Sequence, residues 1–140
     1  FSIRAETTAR QIESISMMQN DPRVAGSKML VVDTVSKNFS VEFGGERKLK
    51  MRQSLLSVYV NKLARDAVLN DRAVLLTNRV ASGASLGRRR EVAVGGRSLR
   101  RFVTKAIHLT RRGTVVDATL LDRDDNRSTL SSSITEKGFE

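Results

Sequence analysis

Seventeen of the chain's 25 Lys and Arg residues fall between Arg47 and Arg112, where only Asp66, Asp71 and Glu91 oppose them. This segregation restricts the fold more than any other feature. The stretch carries a net +14, while residues 1–46 carry −1 and residues 113–140 carry −3. Like charge at that density opposes a compact state unless it sits on outward faces and an anion neutralises it. The runs are Arg47-Lys48-Leu49-Lys50-Met51-Arg52, Arg88-Arg89-Arg90, Arg97 with Arg100-Arg101, and Arg111-Arg112. Arginine supplies 18 of the 25 cations, and its planar fork matches phosphate bidentately. The charge map therefore predicts a polyanionic partner, with nucleic acid the commonest such anion.

Around that segment, 140 residues with 39% hydrophobic content fit a modest core. Six aromatic residues, five Phe and one Tyr, leave the packing to Val, Leu, Ile and Ala. A small aliphatic core is marginal alone, so other protein subunits or a homo-oligomer are expected to add stability. Cysteine is absent, which removes disulfides, thiolate metal sites and cysteine nucleophiles. No apolar run approaches the 18 or so residues of a membrane helix, and no membrane partner is expected. A soluble protein is expected, inside a cell or within a particle.

Periodicity predicts a helix over 5–19 from Ala5, Ala9, Ile12 and Ile15, ended by Asn20-Asp21-Pro22. Residues 27–43 read as strand, with Phe39, Val41 and Phe43 alternating against Ser40 and Glu42. Gly44-Gly45 then signals a hairpin whose return strand puts Lys48, Lys50 and Arg52 on its outer face. Leu56, Val60, Leu63 and Ala67 mark the best helix, over 53–69. Residues 73–80 are ambiguous and lean to helix, capped by Asn70 or Asp71. Residues 81–90 read as a loop. Gly95-Gly96 reads as a second hairpin joining Glu91–Val94 to the stretch from Arg97 onward. A third hairpin joins 102–110 to 114–121 across Arg111-Arg112-Gly113. In it Ile107 and Leu109 share a face with Val116 and Leu120, while His108, Asp117 and Thr119 take the other.

The expected fold class is α+β: an antiparallel β-sheet built from hairpins, with two or three helices packed on one face. A single domain over 1–126 contains the basic segment 47–112. Residues 127–140 read as a polar C-terminal tail or assembly arm.

The candidate nucleic-acid-binding residues are Arg47, Lys48, Lys50, Arg52, Arg88, Arg89, Arg90, Arg97, Arg100, Arg101, Arg111 and Arg112. With Phe102 the sole aromatic near the basic run, contact should be to the phosphate backbone with little sequence specificity. The loop Gly83 to Gly87-Arg88 lacks the spacing and the Lys of a phosphate-cradling loop. His108 has no second histidine or cysteine for zinc, and no hydroxyl nucleophile stands beside a His108–Asp117 pair. Asp122, Asp124, Asp125 and Asn126 lack the Gly and Glu of a calcium loop. No catalytic residue, metal or cofactor is expected. The reading is a non-enzymatic basic structural protein that binds nucleic acid within a larger assembly such as a ribonucleoprotein. The alternative is a virion subunit that self-assembles through its arms, suggested by the start at Phe1 and the ending Gly138-Phe139-Glu140.

Overall fold

The computed structural model describes residues 1–85, 88–121, 127–135 and 138–139, without the side chains of 82–92, 97, 98 and 139. The chain forms two compact units, Phe1–Phe102 and Val103–Glu140.

In the first unit, Thr7 caps α1 (Thr8–Gln19) by accepting from the Arg10 amide at 3.1 Å. Asp21 caps a single turn, α2 (Pro22–Ala25), where Pro22 stands at a position that needs no N–H. The strand β1 (Met29–Val32) leads to α3 (Lys37–Glu42), a 3-10 turn (Glu46–Lys48) and α4 (Leu49–Leu69). Next come β2 (Ala73–Leu76), β3 (Val80–Ser85), β4 (Arg88–Ala93) and α5 (Gly96–Arg100). β1 and β2 pair in parallel, Met29 opposite Ala73 through Val32 opposite Leu76, while β3 and β4 form an antiparallel hairpin. Leu30, Val32, Val74 and Leu76 face a core of Ile15, Val35, Phe39, Leu56, Tyr59, Val60, Leu63 and Leu99. Burying each large apolar side chain there contributes about 1.5–3 kcal/mol. The Phe39 and Tyr59 rings meet at 5.7 Å between centroids.

The second unit is an antiparallel sheet of β5 (Ala106–Arg112), β6 (Val115–Leu121), β7 (Arg127–Thr135) and the short β8 (Gly138–Phe139), in that order. Ile107 lies opposite Leu120, His108 opposite Thr119 and Arg111 opposite Val116, the predicted division of faces. β7 runs through the polar stretch set apart in the sequence as a tail or arm, and pairs with β6 along its length.

The α+β class holds, as do the helices around 8–19 and 56–69. Four local expectations do not. Residues 37–42 are helix rather than strand, because helical spacing of Ser36, Phe39 and Phe43 lets Phe39 reach full burial while Val41 stays 75% exposed. Gly44-Gly45 makes no hairpin: Gly45, at φ +81°, leads into the 3-10 turn. The basic stretch after it starts α4 rather than a return strand, and Leu49 and Met51 are both exposed. Residues 73–76 are strand rather than helix, since alternate residues of Ala-Val-Leu-Leu meet the core only in an extended chain. Finally, the hairpin lies one step earlier than Gly95-Gly96. Glu91 faces Ser82, and the stretch from Gly96 turns into α5. Gly95 is needed there: its φ is +90°, and a Cβ would stand 2.6 Å from Leu56 Cδ2.

Candidate nucleic-acid interface

The carboxyl ends of β1 and β2 lie side by side, which is where open parallel sheets place their ligand crevices. The backbone joins them there. Thr77 N donates to Val32 O and Val35 N to Thr77 O, both at 3.0 Å. Three side-chain hydrogen bonds follow from this pairing. The Thr77 hydroxyl donates to the exposed Asp33 carboxylate. The Ser36 hydroxyl donates to Asn78 Oδ1 at 2.5 Å, and Asn78 Nδ2 donates to the Val94 carbonyl at 2.7 Å. Val94 N in turn donates to Arg79 O at 2.9 Å, closing the base of the β3–β4 hairpin.

A cleft of about 270 Å³ opens beside this junction. The start of α4 contributes Leu49, Arg52 and Gln53; the hairpin base contributes Ala81, Ala93 and Val94; α3 contributes Phe39 and Ser40. The cleft thus sets Arg52, the last cation of the first basic run, beside the base of the hairpin whose β4 carries Arg88, Arg89 and Arg90.

Arg47, Lys48 and Lys50 are exposed, and none forms an ion pair with a described carboxylate. Arg52 is half-buried, its Nη1 donating to Phe43 O at 3.4 Å. These cations crowd the amino end of a 21-residue helix that has no side-chain cap and no acid in its first turn. The helix dipole is positive at that end, so the arrangement repels itself and favours an anion.

The remaining candidates scatter. The side chains of Arg88, Arg89, Arg90 and Arg97 lie outside the described residues. Arg100, on α5, and Arg101, after it, are exposed. Arg111 and Arg112 end β5 in the second unit. There Arg111 Nε donates to Gly113 O at 2.8 Å, and Arg112 forms a hydrogen-bonded ion pair with Asp117. Asp117 also accepts from the Ser131 hydroxyl at 2.6 Å. That bond, aided by Arg112 and opposed by burial, holds its carboxyl below its ordinary range. Asp117 lies opposite Thr110, not opposite His108.

Sequence reasoning missed Asp33, Ser36, Thr77 and Asn78. The signal was present: an aliphatic run, Met29 to Val32, ending in Asp. It becomes readable only once residues 73–76 are recognised as a neighbouring parallel strand.

Residues 1–116 match the Rad51 family. The chain is similar to the DNA repair and recombination protein RadA of Metallosphaera sedula, 35% identical over 101 residues, which cover 71% of this chain and 31% of that protein. It is also similar to the DNA repair and recombination protein RadA of Aeropyrum pernix, 37% identical over 84 residues, covering 57% of this chain and 25% of that protein. The meiotic recombination protein DLH1 of Candida albicans is 34% identical over 84 residues, 59% of this chain and 26% of that protein. The chain thus spans less than a third of the length of these relatives.

These matches correct the expectation of a non-enzymatic structural protein, whether a ribonucleoprotein component or a virion subunit. A surplus of cations says what a surface attracts; it does not separate a structural protein from an enzyme working on the same polyanion. The missing catalytic motif was sought in 140 residues that cover only part of each relative. With a parallel strand pair, a polar junction at its carboxyl end and a family match over residues 1–116, the chain belongs to the Rad51 family.

Proposed function

We propose that this chain is the DNA-contacting part of an ATP-driven recombinase. The start of α4 and the β3–β4 hairpin grip the phosphate backbone with little sequence specificity, and copies assemble side by side along the DNA. The observation that carries this reading is the cluster of Arg47, Lys48 and Lys50, exposed and without a described carboxylate partner, on the positive pole of an uncapped helix. A phosphate there satisfies both the side-chain charge and the helix end. Family membership supports the process, since two of the relatives are named for DNA repair and recombination; ATP as the driver is part of this proposal.

A magnesium-nucleotide complex fits the other side of the junction. Asp33 offers a hard oxygen donor at the end of a parallel strand, and Thr77 fixes its orientation through a hydroxyl hydrogen bond. One carboxylate suffices, because magnesium draws its remaining ligands from phosphates and water. When bound, that ion neutralises charge on the phosphates during transfer. Asp33 would hold it, and Thr77 would keep Asp33 aimed.

The test uses the full-length protein and a fluorescent single-stranded oligonucleotide of mixed sequence, read by anisotropy at stepped salt. Affinity should fall steeply with salt. Replacing Arg47, Lys48 and Lys50 together by Ala should flatten the slope of log K against log salt by about 2, at roughly 0.7 per phosphate. Asp33→Asn should abolish DNA-stimulated ATP hydrolysis while leaving DNA affinity in place. Wild-type binding by the triple variant would end the phosphate reading, and undiminished hydrolysis by Asp33→Asn would end the assignment of Asp33.

A further inference from the structure

Ser36 occupies the N-cap position of α3 yet makes no side-chain cap. Serine is among the best capping residues, so the missing cap leaves this hydroxyl to another use. Its hydroxyl, on a residue 1% exposed, is spent instead on Asn78. Asn78 has its amide oriented by both partners: the oxygen accepts from Ser36 and the nitrogen donates to the Val94 carbonyl. Val94 leaves the hairpin one residue after β4 and returns its own N–H to Arg79 O. The neighbouring Thr77 is bound to Asp33. Two consecutive residues at the end of β2 therefore face the acidic strand end and the basic hairpin respectively.

We infer that Asn78 is a positioning residue that fixes the base of the β3–β4 hairpin against the carboxyl end of the parallel strands, so that the hairpin, whose β4 carries the Arg88–Arg90 run, is held in place against DNA. This rests on the DNA reading proposed above. Asn78 touches no phosphate; its contribution passes through the hairpin. An amide meets both needs at once, offering an acceptor on one side and a donor on the other. A carboxylate at the same place keeps the Ser36 bond and loses the one to Val94.

The experiment is a double-mutant cycle on the full-length protein, with the same oligonucleotide and stepped salt. Its members are Asn78→Ala, the triple substitution of Arg88, Arg89 and Arg90 by Ala, and the two combined. The triple variant should flatten the salt slope by about 2, at roughly 0.7 per lost phosphate. Asn78→Ala alone should flatten it by a comparable amount, and the combined variant should bind no more weakly than the triple. Ser36→Ala, which removes one of the two bonds and leaves the amide in place, should fall between Asn78→Ala and wild type. It decides the matter if Asn78→Ala does not fold. An unaltered slope in the Asn78 and Ser36 variants, or losses that multiply in the combined protein, would overturn the positioning role. A triple variant that binds like wild type would remove the hairpin from the DNA reading itself, a failure visible without any change at Asn78.

Discussion

The residues that flank β2, Arg72 and Thr77, are five positions apart, and the two ends they mark are built on opposite principles. At the amino end, Arg72 and Asp66 are buried together, their side chains 4% and 2% exposed, with Nε and Oδ2 3.5 Å apart. Gln19 and Asn70 donate to Asp66 Oδ1 at 3.2 and 2.8 Å, and Ser27 accepts from Arg72 Nη1 at 3.2 Å. Charge meets charge, with neutral donors on Asp66 Oδ1 and a neutral acceptor on Arg72 Nη1, while Asp66 Oδ2 and Arg72 Nε have only each other's charge. At the carboxyl end, Asp33 is exposed and bound to one hydroxyl, Ser36 gives up a helix cap, and nearby cations lack described acidic partners. One end is arranged to hold the fold. The other leaves a carboxylate exposed with a single hydroxyl partner, as the proposed nucleotide site requires.

If that contrast is real, matched substitutions should behave oppositely. Asp66→Ala strands the Arg72 guanidinium in the interior and should destabilise the protein by about 3–5 kcal/mol, the usual cost of breaking a buried pair. Asp33→Ala should cost no more than about 0.5 kcal/mol, as exposed substitutions do. Urea denaturation of both variants checks this, and equal losses would erase the distinction between the ends. Next in size is Gly95→Ala, at the hairpin base. The added Cβ meets Leu56 Cδ2 at 2.6 Å, and the φ of +90° strains any L side chain. The expected loss is about 1–3 kcal/mol from overpacking, read from the same denaturation curves.

What was legible in the sequence and what was not follows from the kind of signal each part leaves, and neither end of β2 was legible. The periodicity of Leu56, Val60 and Leu63 survives in the sequence because burial of α4 repeats along one helix. The α+β class and the face assignment of Ile107, Leu109, Val116 and Leu120 were readable for the same reason, since period two is local. Phe39, Val41 and Phe43 misled, because alternation over five residues also accommodates a helix whose one buried ring finds Tyr59. Ala73 to Leu76 misled because four aliphatic residues carry no period, and their partner, β1, lies more than forty residues earlier. The polar junction depends on that long-range pairing. Asp33, Ser36, Thr77 and Asn78 are unremarkable singly and become a site only when two distant strand ends are set side by side.

The second unit supplies an intermediate case. Asp117 is nearly buried, like Asp66, but its main partners are a hydroxyl, Ser131, and an exposed guanidinium, Arg112. Its pKa in the folded chain lies below its ordinary value. Such a group stabilises the fold above its unfolded pKa, and the contribution disappears as pH falls through the lower, folded value. Thermal melts of wild type and Asp117→Asn should therefore differ at neutral pH and converge in acid. A gap that stays constant down to strongly acidic pH would mean that the carboxylate charge contributes nothing.

The smallest effect is the most informative about the basic end. Lys50 lies in the first turn of α4, where the dipole disfavours a cation. If stability had set the residue there, it would be acidic. Lys50→Glu should therefore stabilise the folded protein, by about 0.3–1 kcal/mol at low ionic strength, and the gain should shrink as salt screens it. The same substitution should weaken oligonucleotide binding, because it removes the proposed phosphate contact and adds a repulsive charge. Opposite signs for stability and binding from one side chain identify a site kept for its ligand at the expense of its helix. A variant that loses both would instead make Lys50 part of the scaffold, and the two ends of β2 would no longer differ in kind.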